Sequence, residues 1–123
     1  MRYNIQGTHI ELTSAISEHV AKRMRSLHKV LDMSDSSIYA DVEVGRTSNH
    51  HQNGELFRAE IQLYLAGGNL RAVAIRHDLY AAIDEVRDIM MRDVRRHYER
   101  RIKRARDGAR RFKQQIREAA YAI

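Results

Sequence analysis

Four segments of the chain alternate between apolar and polar residues, and two longer ones repeat apolar residues every three or four positions. In RYNIQ (residues 2–6), Tyr3 and Ile5 fall on one side and Gly7 ends the run, which predicts a short strand. Over residues 38–44, Ile38, Ala40, Val42 and Val44 alternate with Tyr39, Asp41 and Glu43. Over residues 56–66, Phe57, Ala59, Ile61, Leu63 and Leu65 oppose Arg58, Glu60, Gln62 and Tyr64. Residues 70–75 (LRAVAI) are less regular, because Val73 and Ile75 fall on the polar side. The last three segments read as consecutive antiparallel strands with one apolar face. A polar loop with an Asn53-Gly54 turn signal joins the first two of them, and Gly67-Gly68-Asn69 joins the next pair.

The helical pattern is equally direct. Ile16, Val20, Met24, Leu27 and Leu31 recur at spacings of three and four, which predicts an amphipathic helix over 14–31 with Thr13 as its N-cap. DMSDSS (32–37) follows as a loop. A second stripe runs through Leu79, Ile83, Val86, Met90, Val94, Tyr98, Ile102, Ala105, Ala109, Phe112 and Ile116, with Asp78 as cap and Gly108 as its weak point. The order is β-α-β-β-β-α. It predicts an α+β fold in which two helices cover the apolar face of a four-stranded sheet. A helix over 79–107 spans about 43 Å at ~1.5 Å per residue, whereas a strand of ordinary length spans about 17–20 Å. The second helix must therefore overhang its sheet.

Composition sharpens this picture where the overhang begins. The chain has 123 residues, suited to one domain, and contains neither Cys nor Pro. Without Cys there is no disulfide framework or thiolate metal site, and without Pro long helices run uninterrupted. The N-terminal stretch MRYNIQGTHIELT lacks the apolar core of a signal peptide. No apolar run of membrane-spanning length is present. Residues 1–86 carry 9 Lys or Arg against 11 Asp or Glu, and residues 87–123 carry 13 against 5. We therefore divide the chain into an α+β domain (residues 1–100) and a basic helical extension (residues 101–123). Such asymmetry favours a polyanionic partner.

Projection at about 100° per residue assigns the cations to faces. In the first helix Lys22, Arg25 and Lys29 lie opposite the apolar stripe and Arg23 lies at its edge. In the second, Arg92, Arg95, Arg96 and Lys103 point away from the stripe and Arg100 flanks it. With both helices on one sheet face, these surfaces merge into a candidate site for nucleic-acid backbone. Cations on an outer helix face are often only solvated. Here, however, the like-charged i,i+4 pairs Arg92/Arg96, Arg96/Arg100 and Arg100/Arg104 disfavour the isolated helix by a few tenths of a kcal/mol each, which calls for an anion.

Other chemistry is thin. His50 and His51 are adjacent in a polar loop with no third ligand at metal-site spacing, and His9, His19, His28, His77 and His97 are scattered. Tyr39 and Tyr64 project from the open sheet face, where cross-strand packing is a commoner role than base stacking. Phosphate-loop, nucleophile-elbow, zincin and dinucleotide signatures are missing. Asp84 and Glu85 are neighbours on a helix and diverge, unlike a carboxylate pair. No enzyme activity, cofactor, metal or small-molecule substrate is expected. The alanine-rich stripe of the tail also argues against a membrane partner.

NIQGTHIELTSAISEHVAKRM (4–24), HHQNGELFRAEIQL (50–63) and above all RHDLYAAIDEV (76–86) resemble stretches of the ribosome hibernation-promoting factor family, which includes the ribosome-associated translation inhibitors. The likeness covers roughly residues 1–100, in the right order. The resemblance implies a β-α-β-β-β-α fold and a cytoplasmic bacterial protein. It further implies binding in the mRNA and tRNA channel of the small ribosomal subunit, with ribosomal RNA and the whole ribosome as partners, so that ribosomes are held inactive under stress or in stationary phase. The family's basic RNA-contacting positions correspond here to Arg23, Lys29, Arg92, Arg96 and Arg100, while Ser26 and Ile89 stand where it often has a basic residue. The basic tail matches neither the acidic tail of one short form nor the dimerisation domain of the long form. Two readings compete: a general double-stranded RNA-binding module, and self-association through Ile102, Ala105, Ala109, Phe112 and Ile116.

Overall fold

The structure is a computed structural model and describes residues 1–47 and 54–121. His50, His51 and Asn53 of the predicted polar loop and turn lie outside those residues. The elements are β1 (Arg2–Thr8), α1 (Ser14–Leu27), β2 (Tyr39–Arg46), β3 (Phe57–Leu65), β4 (Gly68–Arg76) and α2 (Leu79–Tyr121). They follow the predicted order. The sheet order is β1-β2-β3-β4, with β1 parallel to β2 and the other pairs antiparallel. The parallel pair needs a crossover, which α1 supplies.

The alternating residues explain the layers. Ile5, Val42, Ile61 and Ala72 align across all four strands in one row. They belong to a single apolar cluster that also contains Ile16, Val20, Met24 and Leu27 of α1 and Ile83, Val86, Met90 and Val94 of α2. Both helices thus cover one face, and the other face stays open. There Tyr39 and Tyr64 are register partners whose rings stack at 6.0 Å, and the Tyr39 hydroxyl donates to Asp41. Cross-strand packing is therefore the role these tyrosines play. Val73 is half-buried and Ile75 is 50% exposed, in keeping with their irregular position in the pattern. Gly45 is needed where β1 meets β2, since a Cβ there would lie 2.1 Å from the Thr8 carbonyl oxygen.

The helix ends differ from the pattern in two places. Thr13 caps α1 as predicted, its hydroxyl accepting from the Ile16 N–H at 3.3 Å. The helix stops at Leu27 rather than 31, because the next amides tighten into turns: His28, Lys29 and Val30 donate to Arg25, Ser26 and Leu27. Leu31 remains buried below those turns, which is why its spacing looked helical. Lys29 accordingly lies in the turn after α1 and not on the helix itself. At the other end, α2 runs unbroken for 43 residues through Gly108, about 65 Å at ~1.5 Å per residue. Gly108 is exposed and free of neighbours, so it weakens the helix by about 1 kcal/mol relative to Ala without breaking it.

The overhang begins where the β3–β4 turn meets α2. His97 is buried and its Nε2 donates to the Ala66 carbonyl at 3.2 Å; Arg101 donates to the same oxygen at 2.9 Å. The Ala66 N–H donates to Asp35 at 2.8 Å, and the Asp32 N–H donates to the Tyr98 hydroxyl at 3.0 Å. Gly67, at φ +88°, holds the turn tight against Arg101. Beyond this joint almost every residue of α2 is exposed, including Ile102, Phe112 and Ile116.

Candidate nucleic-acid interface

Polar ties fix how the two helices lie against each other. Asp84 on α2 accepts from Arg23 Nε at 2.6 Å and from His19 Nε2 at 2.7 Å, both on α1. Arg87 reaches back from α2 to donate to Ser26 Oγ at 2.9 Å, and Ser26 in turn donates to the Arg23 carbonyl at 2.6 Å. The His19 and Tyr80 rings meet edge to face at 4.9 Å. Glu85 points elsewhere, toward Arg76, so the divergence of the adjacent carboxylates holds.

This arrangement sorts the predicted cations. Lys22, Arg25, Lys29, Arg92, Arg95, Arg96, Arg100 and Lys103 are all exposed. Arg23 is half-buried and committed to Asp84, so it fastens the helices together rather than standing free. Arg96 lies 4.0 Å from Asp93 on the same helix with its side chain still 66% exposed. Among the described residues, no ion pair within 4 Å involves the other seven. Asp88 pairs with Arg87, which leaves the outer side of α2 from Arg92 onward dominated by cations.

Sequence reasoning missed Asp84, Arg87, His19, His97 and Arg101. The signal for the first two was available. Projected on the same wheel, Asp84, Arg87 and Met91 point to one side of the core stripe, the side α1 covers. The roles of His97 and Arg101 depend on where the β3–β4 turn lands, which no local pattern announces.

Partial burial pulls the Asp84 carboxyl upward, but the hydrogen bonds and charges of Arg23 and His19 outweigh it and hold the group below the usual carboxylate range. A group with a depressed folded-state pKa stabilises the fold above its unfolded pKa, and that contribution fades as pH falls through the folded value. Asp84 is 40% exposed, so solvent screening limits the effect to about 1 kcal/mol or less. Asp84→Asn should therefore lower chemical-denaturation stability by about 0.5–1 kcal/mol near pH 7, with the gap to wild type closing below about pH 4. A gap that is unchanged down to pH 3 would show that the tie is not electrostatic.

Among the described residues, no group of three or more His, Asp or Glu is placed to hold a metal ion, and no helix is long and apolar enough to cross a membrane.

A mixed four-stranded sheet, covered on one face by two helices that carry exposed cations, defines an α+β domain. The chain belongs to the family described as sigma 54 modulation protein / S30EA ribosomal protein, whose profile matches residues 3–102. It is 31% identical over 107 residues to a ribosome hibernation promotion factor of Deinococcus radiodurans, covering 86% of this chain and 53% of that protein. It is 28% identical over 97 residues to the ribosome hibernation promoting factor of Escherichia coli, covering 79% of this chain and 93% of that one. The chain spans about half the length of the Deinococcus radiodurans and Bacillus subtilis relatives. In structure it is similar to the N-terminal domain of Thermus thermophilus Protein Y, with a TM-score of 0.66 and 33% identity over 78% of this chain and 98% of that one.

Proposed function

We propose that this protein is a non-enzymatic ribosome hibernation factor of the bacterial cytoplasm. It occupies the mRNA and tRNA channel of the small ribosomal subunit and holds ribosomes inactive. One observation carries the reading: Lys22 and Arg25 of α1, Lys29 in the turn after it and the cations of α2 are exposed on two helices that pack on one sheet face and are tied through Asp84. The fold and the names of the relatives support ribosomal RNA as the anion. Lys22, Arg25, Lys29, Arg92, Arg95, Arg96, Arg100 and Lys103 make the phosphate contacts. Arg23 contributes by holding α1 to α2. Affinity comes mainly from counterion release, and specificity from the shape of the RNA-walled channel. Inhibition is steric, because mRNA and anticodon arms need the same space. The test is co-migration with the small subunit on a sucrose gradient.

A further inference from the structure

The segment of α2 beyond Arg101 contributes nothing to the core, yet it is a regular helix of about 30 Å. Its residues 102–121 carry seven Lys or Arg against two Asp or Glu. Their placement is ordered. Lys103, Arg106, Arg110, Lys113 and Arg117 follow one another at spacings of three and four, so they form one row on the helix surface. On the helical wheel this row continues the side that presents Arg92, Arg95 and Arg96 over the globular domain. Asp107 and Glu118 lie outside it, and all five of its cations are exposed. Glu99 falls on the same side between Arg96 and Lys103, so from Arg92 to Arg117, about 38 Å at ~1.5 Å per residue, that side is basic but for one acidic position.

We infer that residues 102–121 are a second RNA-contacting element, an arm whose row of cations follows a phosphate backbone beyond the footprint of the α+β domain. The inference rests on the ribosomal reading above and extends it. Charge selects the ligand. Arg104 and Arg111 add cations on the far side of the arm, so a second copy of the chain would bring like charge against like charge. RNA phosphate relieves the like-charge repulsion within Arg106/Arg110 and Lys113/Arg117. The seam of Ile102, Ala105, Ala109, Phe112 and Ile116 lies beside the row. It is the surface a protein partner would use instead.

The test compares three full-length proteins: wild type; Arg106→Glu/Arg110→Glu/Lys113→Glu in the arm; and Phe112→Ala/Ile116→Ala in the seam. Each is titrated against purified small subunits across a salt series, and ultraviolet cross-linking then identifies what the arm touches. All substituted positions are exposed and outside the core, so the folded domain stays intact, which circular dichroism and thermal unfolding check. The arm variant should lose at least tenfold in affinity, its log–log salt slope should fall by about 2–3, at ~0.7–0.9 per lost phosphate contact, and wild type should cross-link to RNA through 102–121. The seam variant should bind within about threefold of wild type. If the arm variant binds like wild type while substitutions at Arg92 and Arg96 abolish binding, the arm inference falls and the ribosomal reading stands. If the seam variant is the one that fails, with cross-links to protein, RNA is the wrong partner for the arm. If wild type does not bind subunits at all, the ribosomal reading falls, and the arm inference falls with it.

Discussion

Reversing two charges on α2, Arg92→Glu with Arg96→Glu, should weaken binding to small ribosomal subunits by more than a hundredfold. Both residues are exposed on the outer side of α2, one turn apart, and sit over the domain rather than on the projecting arm. Charged hydrogen bonds are worth about 1.5–3 kcal/mol each, and each 1.4 kcal/mol is about tenfold in affinity. Two such losses alone account for the effect, before the repulsion of the introduced carboxylates is counted. The log–log salt slope should fall by about 1.4–1.8, at ~0.7–0.9 per phosphate contact. Thermal stability should hardly change, because neither side chain is in the core. Arg2→Glu is the control, matched in charge to Arg92→Glu alone. It alters an exposed cation on β1 whose register partner Tyr39 lies on the open sheet face, and it should bind within about twofold of wild type. A loss in the control equal to that of Arg92→Glu alone would mean that net charge, and not this surface, governs binding.

Leu63→Ala should cost about 2–5 kcal/mol of unfolding free energy. Leu63 is fully buried on β3, an inner strand of the sheet, where α2 packs. Removing its branched end leaves a cavity walled by a sheet and a helix that are both held by extensive hydrogen bonding, so the site collapses only partly. Small domains are stable by only about 5–15 kcal/mol, so the variant should unfold at markedly lower denaturant concentration. The expected partner result concerns the arm: Ile116→Ala, an equally drastic truncation at a residue 53% exposed, should change stability by less than about 0.5 kcal/mol. If both truncations cost the same, the division between a packed domain and an unpacked arm is mistaken.

The fold was legible because its layers impose distinct periods. Strict alternation in residues 38–44 and 56–66 gave the inner strands and their buried faces, and the three-four spacing gave both helices. The pattern misled at the end of α1. Leu31 keeps a helical spacing while the backbone tightens into turns, and apolar periodicity records burial, not hydrogen bonding. It was also silent on how the helices meet. The ties from Asp84 to His19 and Arg23, and from Arg87 to Ser26, span more than sixty positions in sequence. Such contacts follow from packing that no local window contains. The outward cations were legible from the helical wheel alone, whereas the change in Arg23 from free cation to interhelical tie was not, because its partner sits on another element. The resemblance carried by RHDLYAAIDEV pointed to the family that the comparison then showed.

If a charge-driven surface occupies the small ribosomal subunit, the bound protein must travel with that subunit and leave it as salt screens the contact. Sedimentation of the purified protein with ribosomes through a sucrose gradient, at low and at raised salt, tests it most directly. Co-migration with small subunits and whole ribosomes is expected at low salt, fading as salt rises. Protein that remains at the top of the gradient under both conditions would contradict it.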